Sequence, residues 1–175
     1  MIYTTKYNSP IGEMLLASDG DSLIGLWNHE QKYFGSPLLK ESKPNDQLPI
    51  LIKTKDWLDK YFSGRKPDSK ELPLSMAGSD FRQRVWKILL DIPYGKTVTY
   101  GDISKQIAKQ FGKPKMSAQA VGGAVGHNPI SIIVPCHRVI GSNGSLTGYA
   151  GGIDMKIKLL ELEGHEVSNC GIINT

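Results

Sequence analysis

Pro135 is the residue that most restricts how this chain can fold. It follows the apolar run Ile132-Ile133-Val134, which reads as a buried strand, and it stops any ladder there because it has no amide proton to donate. Cys136, His137 and Arg138 come next. Side chains at consecutive strand positions point to opposite faces. A thiol and an imidazole at 136 and 137 therefore cooperate only where the backbone leaves strand geometry, and Pro135 favours that departure. A thiolate near neutral pH needs a neighbouring base or positive field. The plain alternative is a packing cysteine beside an unrelated histidine, since free cysteine is among the most buried residue types.

At 175 residues the chain can form one medium domain or two small ones. Its formal net charge of +4 leans toward a polyanionic partner. Its two cysteines, Cys136 and Cys170, make no disulfide framework, and Cys170 is given no role. No Cys-x-x-Cys and no paired histidine spacing points to a metal, and no cofactor is expected. The N-terminus lacks a basic-then-apolar signal layout, and no apolar run is long enough to span a bilayer. The expectation is a reducing compartment, cytoplasmic or, in a eukaryote, nuclear, with no membrane partner.

Residues 1–76 read as a small α/β domain. Ile2 to Tyr7 alternates as a strand does, and the apolar runs Gly12 to Ala17 and Ser22 to Trp27 flank Ser18-Asp19-Gly20-Asp21, a hairpin signal. Residues 35–47 read as a loop. Apolar residues at helical spacing from Leu48 to Phe62 predict a helix closed by Ser63-Gly64. His29 reads as a surface residue without metal-spaced partners.

A boundary is expected near Ala77-Gly78-Ser79. Ser79 or Asp80 can cap a helix with Phe81, Val85, Ile88 and Leu89 on one face, stopped by Pro93. Thr99 and Asp102 have near capping-box spacing, and Ile103, Ile107 and Phe111 give the next helix its stripe. After Lys113-Pro114-Lys115, a third helix is predicted from about Ser117 to Gly126. Interior glycine costs a helix about 1 kcal/mol relative to alanine, so the small residues there, Ala120 and Gly123 among them, need a reason. They permit close approach, either to another helix or to a nucleic-acid groove. Two short helices across a turn make a helix-turn-helix, with Lys113 and Lys115 where phosphates can lie. Asn128-Pro129 ends that helix. Gly148 to Gly152 reads as a flexible loop. A last helix runs from about Asp154 to Glu163 with Ile157, Leu160 and Leu162 as its apolar positions, and 166–175 reads as a polar, loosely held tail.

Tyr94-Gly95-Lys96-Thr97, Ala120-Val121-Gly122-Gly123-Ala124, Asn128-Pro129, Pro135-Cys136-His137-Arg138-Val139, Gly148-Tyr149-Ala150-Gly151-Gly152 and Leu162-Glu163-Gly164-His165 occur in this order. In order and spacing they resemble the O6-alkylguanine-DNA alkyltransferases, densely over 79–165 and loosely before it. The resemblance implies a ribonuclease-H-like α/β domain with a small antiparallel sheet over 1–76. It also implies a mainly α domain over 79–165 with a winged helix-turn-helix-like unit. It implies a monomer that binds duplex DNA, rotates an alkylated guanine out of the stack and moves the alkyl group irreversibly to its own cysteine. By matched position, Cys136 is the nucleophile, His137 the base acting through a water, and Glu163 the carboxylate orienting it. Asn128 joins the recognition helix to the reactive loop, and Tyr100 supplies a proton to the departing guanine. Val139 offers its carbonyl to the guanine amine, and Tyr149 and Ala150 line the pocket. Gln119 stands where the family usually has an arginine that fills the gap left by the flipped base. The zinc ligands that some relatives carry near the N-terminus are missing.

Two other readings remain open from sequence. One is a helix-turn-helix protein that recognises alkylated DNA without reacting, though such relatives lack the cysteine. The other is a cysteine hydrolase using Cys136 and His137, which would need an oxyanion hole that the sequence does not identify.

Overall fold

The computed structural model describes residues 1–28, 39–146, 149, 151–168 and 171–174. The expectations for His29, Cys170, Gly148, Ala150 and the first part of the 35–47 loop lie outside these residues. The chain forms two compact units, Met1–Ala77 with Pro129–Ser131, and Gly78–Asn128 with Ile132–Thr175.

In the first unit, β1 (Tyr3–Ser9), β2 (Gly12–Ser18) and β3 (Leu23–Asn28) form an antiparallel meander. The Asp19 carboxylate accepts from the backbone of Asp21 and Ser22 at 3.0 and 2.8 Å and so builds the β2–β3 turn. The expected antiparallel sheet is present. A short strand, β4 (Lys43–Pro44), joins the β1 edge in parallel, within the stretch read as loop. Pro49 opens α1 (Pro49–Phe62), which buries Ile50, Leu51, Thr54, Trp57, Leu58 and Tyr61. Large apolar side chains of this kind contribute about 1.5–3 kcal/mol each.

Within the region 79–165, one short segment pairs with the first unit. Leu26 N donates to Pro129 O at 2.9 Å and Ser131 N donates to Leu26 O at 3.2 Å, so Pro129–Ser131 belongs to the first unit. The reason is the β3 edge, whose backbone groups need partners that an extended segment can supply.

The second unit is built on capped helices. Ser79 caps α2 (Asp80–Leu90), accepting from Arg82 N at 3.2 Å. Thr99 and Asp102 exchange two 3.0 Å bonds in a complete capping box on α3 (Tyr100–Gln110). Ser117 caps α4 (Ala118–Gly126). The buried side of α4, Val121, Ala124 and Val125, packs against α2 and α3, and Trp86 Nε1 donates to the Ala124 carbonyl at 2.8 Å. Two residues of β5 (Val98–Thr99) pair in parallel with β6 (Val139–Ile140). Then come α5 (Ile153–Leu162) and a hairpin, β7 (Glu166–Ser168) with β8 (Gly171–Asn174).

That hairpin corrects the loose tail expected for 166–175. Val167 and Ile172 pack on Ile140, Leu146 and Leu160, an apolar anchor that the polar composition conceals.

Candidate active site

The run before Pro135 is buried, as expected, but it is not a strand. Ile132 has φ +71°, unusual for a β-branched residue, and 131–134 form turns. Pro135 sits at φ −82°, ψ 66°, and Cys136 N donates back to Val134 O at 2.8 Å, an inverse γ-turn. One turn of 3-10 helix, Cys136–Arg138, follows at once. Three residues that a strand would alternate between faces are thereby gathered on one turn, and all three are buried.

Their partners come from α5. Lys156, Leu159, Leu160 and Glu163 fall at i, i+3, i+4 and i+7 and share the buried face. This corrects the apolar stripe read from sequence, since Leu162 is exposed. The helix ends in a Schellman motif. Gly164, at φ +97°, donates to Glu161 O, and His165 N donates to Leu160 O, both at 3.0 Å. Glu163 is the cap residue just before that glycine and is buried.

Glu163 collects four donors. His137 Nε2 lies 2.5 Å from Oε2, Arg138 Nε and Nη2 donate at 2.8 and 3.1 Å, and Gly95 N donates at 3.1 Å. Arg138 Nη1 also holds the Ile92 carbonyl at 2.6 Å, and its guanidinium lies over the Tyr94 ring. Burial pushes the Glu163 carboxyl up, but the hydrogen bonds from His137 and Arg138 and the Arg138 charge outweigh it and hold it well below the usual carboxylate range. Burial lowers His137, overcoming the pull of Glu163, so the ring is neutral. With Nε2 turned to the carboxylate, Nδ1 is buried and has no hydrogen-bond partner among the described residues.

Around the sulfur, burial pushes the thiol up. The Asn128 amide, the Lys156 charge and the backbone N–H groups of Cys136 and His137 pull it down. Asn128 also donates to Val134 O at 2.8 Å, which ties the end of α4 to the reactive turn. The Tyr100 phenol is raised to about 12, first by burial and then by the Cys136 charge, and keeps its proton. Burial brings the Lys156 ammonium down to about 8. A neutral imidazole backed by a carboxylate can take a proton from a thiol, and this surrounding can accept the anion that remains.

Glu163 thus joins His137, the neighbour of Cys136 on the turn, while Asn128 and Tyr100 interact with the sulfur itself. Val139 is buried, and its carbonyl accepts from Lys156 Nζ at 2.5 Å, which occupies one lone pair. Tyr149 is buried, while Ala150 lies outside the described residues. Gln119, Ala120, Gly123, Lys113 and Lys115 are exposed on α4 and the segment before it. The sequence reading missed Lys156, Arg138 as a buried ion-pair partner and the Gly95 amide. A lysine at helical spacing from two buried leucines was the available signal. Among the described residues no group of three or more His, Cys, Asp or Glu is placed to hold a metal, and no helix is long and apolar enough to cross a membrane.

A cysteine on a tight turn, an imidazole–carboxylate pair behind it, and α3 and α4 in helix-turn-helix order define a class, a thiol-centred protein on a helix-turn-helix frame. Comparison with known proteins narrows it. Residues 80–165 match the model of the 6-O-methylguanine DNA methyltransferase DNA binding domain, and residues 2–76 match the ribonuclease-like domain. The chain belongs to the 6-O-methylguanine DNA methyltransferase family. It is 38% identical over 174 residues to the methylated-DNA–protein-cysteine methyltransferase of Haemophilus influenzae, covering 99% of this chain and 93% of the relative. The Mycobacterium tuberculosis protein of that name is 48% identical over 163 residues, 93% of each. The crystal structure of Mycobacterium tuberculosis OGT in complex with DNA superposes with a TM-score of 0.79 at 48% identity, over 92% of each chain.

Proposed function

We propose that this protein repairs DNA by moving an alkyl group from O6 of guanine to Cys136 Sγ, once per molecule. The observation that carries the reading is the buried His137–Glu163 pair, 2.5 Å between Nε2 and Oε2, in which His137 shares the turn of the thiol and Glu163 reaches it from the end of α5. His137 Nδ1 takes the thiol proton through a water. The sulfur attacks in line, the S–C bond forms as the C–O6 bond breaks, and the electron pair leaves with guanine. Tyr100 protonates the departing base and regains the proton that His137 took, so overall the thiol's hydrogen is replaced by the alkyl group and guanine gains one. A thioether is a poor leaving group, and the protein acts as a reagent.

The target atom is inaccessible in a stacked duplex, so the base must rotate out at a cost of a few kcal/mol. The exposed small residues of α4, with Lys113 and Lys115 before it, support docking of a monomer on duplex DNA through this helix. In the pocket, the remaining lone pair of Val139, with Tyr149 and Ala150, would receive the base. Gln119 would hydrogen-bond the orphaned partner base. A DNA substrate and a thiol that must stay reduced support action in the cytoplasm, or the nucleus of a eukaryote.

The test is to mix the protein with duplex oligonucleotide containing O6-methylguanine and map the product by mass spectrometry. One methyl group is expected per protein, on the Cys136 peptide. Cys136→Ser should abolish transfer and leave DNA affinity nearly intact. A methyl group on another residue, or turnover without an adduct, would overturn the reading.

A further inference from the structure

The buried site holds more positive charge than carboxylate. Arg138 and Lys156 are both buried cations, and the Glu163 carboxylate is already paired with Arg138 at 2.8 Å. Among the described residues no carboxylate lies within ion-pair distance of Lys156 Nζ, and its one hydrogen bond, at 2.5 Å, is to the neutral Val139 carbonyl. The ammonium is fully shielded from solvent, where an unpaired charge costs several kcal/mol. The other charged groups of α5, Asp154, Lys158 and Glu161, are exposed. Among the described residues the titratable and charged groups around the site are Cys136, His137, Arg138, Tyr100, Glu163 and Tyr94, whose phenol is raised by burial and by the Glu163 charge. Of these, His137 is neutral, Tyr100 holds its proton until guanine departs, and Arg138 and Glu163 neutralise each other, so the Cys136 sulfur is the group that must become an anion before transfer begins.

We propose that Lys156 is the counter-ion of the Cys136 thiolate. It is held against Val139, the residue directly after the reactive turn, so that its charge stands ready when the thiol loses its proton. The sulfur and the ammonium act on each other electrostatically. The helical face that brings Glu163 to His137 brings Lys156 to the same site two turns earlier, so α5 supplies both the carboxylate behind the base and the cation for the anion. Lys156 is a positioning residue here, acting through the sulfur. The inference rests on alkyl transfer to Cys136. During that transfer the S–C bond forms, the C–O6 bond breaks with its electrons going to guanine, and the sulfur becomes neutral. Lys156 then loses its partner.

Two measurements follow. In Lys156→Met, which keeps the apolar stem and removes the charge, forming the thiolate becomes harder. The alkaline-rising limb of the single-turnover rate against pH, on duplex containing O6-methylguanine, should move up by about one unit or more. That displacement is about a tenfold slower transfer near pH 7, recovering as pH rises, with DNA affinity unchanged. A packing defect would slow transfer at every pH and would not recover. The second measurement uses the parent protein and needs no variant to fold. Lysine Nζ titration by NMR, before and after methylation of Cys136, should show the Lys156 ammonium deprotonating at lower pH once the anion is gone. If the parent forms no S-methyl-Cys136, the transfer reading itself fails. If it forms the adduct but the Lys156→Met limb stays in place, or methylation leaves the Lys156 titration unmoved, the counter-ion assignment alone is overturned.

Discussion

Glu163 is saturated. Its two oxygens accept from His137, twice from Arg138 and once from the Gly95 backbone, which uses about all the lone-pair directions a carboxylate has. Glu163→Gln would turn an amide donor toward donors and leave Arg138 as a buried unpaired cation, a loss on the order of 3–5 kcal/mol. Urea unfolding should show that loss, and single-turnover kinetics should show slower transfer. The pH dependence has a definite sign. Glu163 is held below its ordinary 4.5, so its stabilisation is complete above that value and is lost as pH falls below it. His137 is neutral in the fold, with its ordinary value of 6.5 lowered, so below 6.5 the unfolded chain takes up a proton that the folded one refuses. Both groups destabilise the fold in acid, His137 first. Circular dichroism followed down in pH should show Glu163→Gln losing the steep part of the acid limb below 4.5 while the limb beginning near 6.5 persists. Parallel curves for parent and variant through the lower window would refute the assignment.

At the scale of elements, α4 is the unusual one. A Cβ added at Gly122, Gly123 or Gly126 would meet nothing within 4 Å, so no contact inside the protein demands these glycines. Gly123→Ala should therefore stabilise the helix by about 1 kcal/mol, visible as a higher melting temperature. If α4 is the docking face, the same methyl group should weaken duplex binding, and a variant that is both more stable and equally tight would remove α4 from the interface. Gln119→Arg, which adds a charge and a guanidinium plane, should speed transfer on duplex more than on single strands; a slower variant on duplex would contradict the role given to position 119. Helices α2 and α3 were legible because period and cap agree, as at Thr99 and Asp102, while α1 was legible from its apolar period without a side-chain cap. The stretch at 131–134 was not, because a short apolar run looks alike as a buried strand and as buried turns, and no pattern announces φ +71° at Ile132. In α5 the stripe was misread for a chemical reason. Lysine is expected in solvent, so a lysine on the buried face registers as a break in the pattern rather than as part of the site. In the sequence Cys136 and His137 stood out as a thiol beside an imidazole, Glu163 entered only through the family resemblance, and a backbone amide such as that of Gly95 leaves no residue-type signal.

At the scale of the whole chain, the positive charge is unevenly shared. Residues 1–77 carry ten Lys and Arg against ten Asp and Glu, whereas residues 78–175 carry eleven against seven. The whole excess of +4 therefore lies in the part that contains α3, α4 and the reactive turn. A protein that displaces counterions from DNA loses affinity with salt at a slope of about 0.9 per phosphate neutralised. The lysines expected at phosphates, Lys113 and Lys115, are both exposed. Replacing both with alanine should flatten the plot of log affinity against log salt by roughly 1–2, whatever the duplex sequence, because phosphate contacts position the protein without reading bases. Lys53→Ala with Lys55→Ala, the same loss of charge on α1, should leave that slope where it was. Neither pair should alter the transfer rate once the DNA is saturated, since none of these side chains belongs to the network around Cys136. An equal change of slope from the two pairs would mean that net charge, rather than the segment leading into α4, governs how this protein holds DNA.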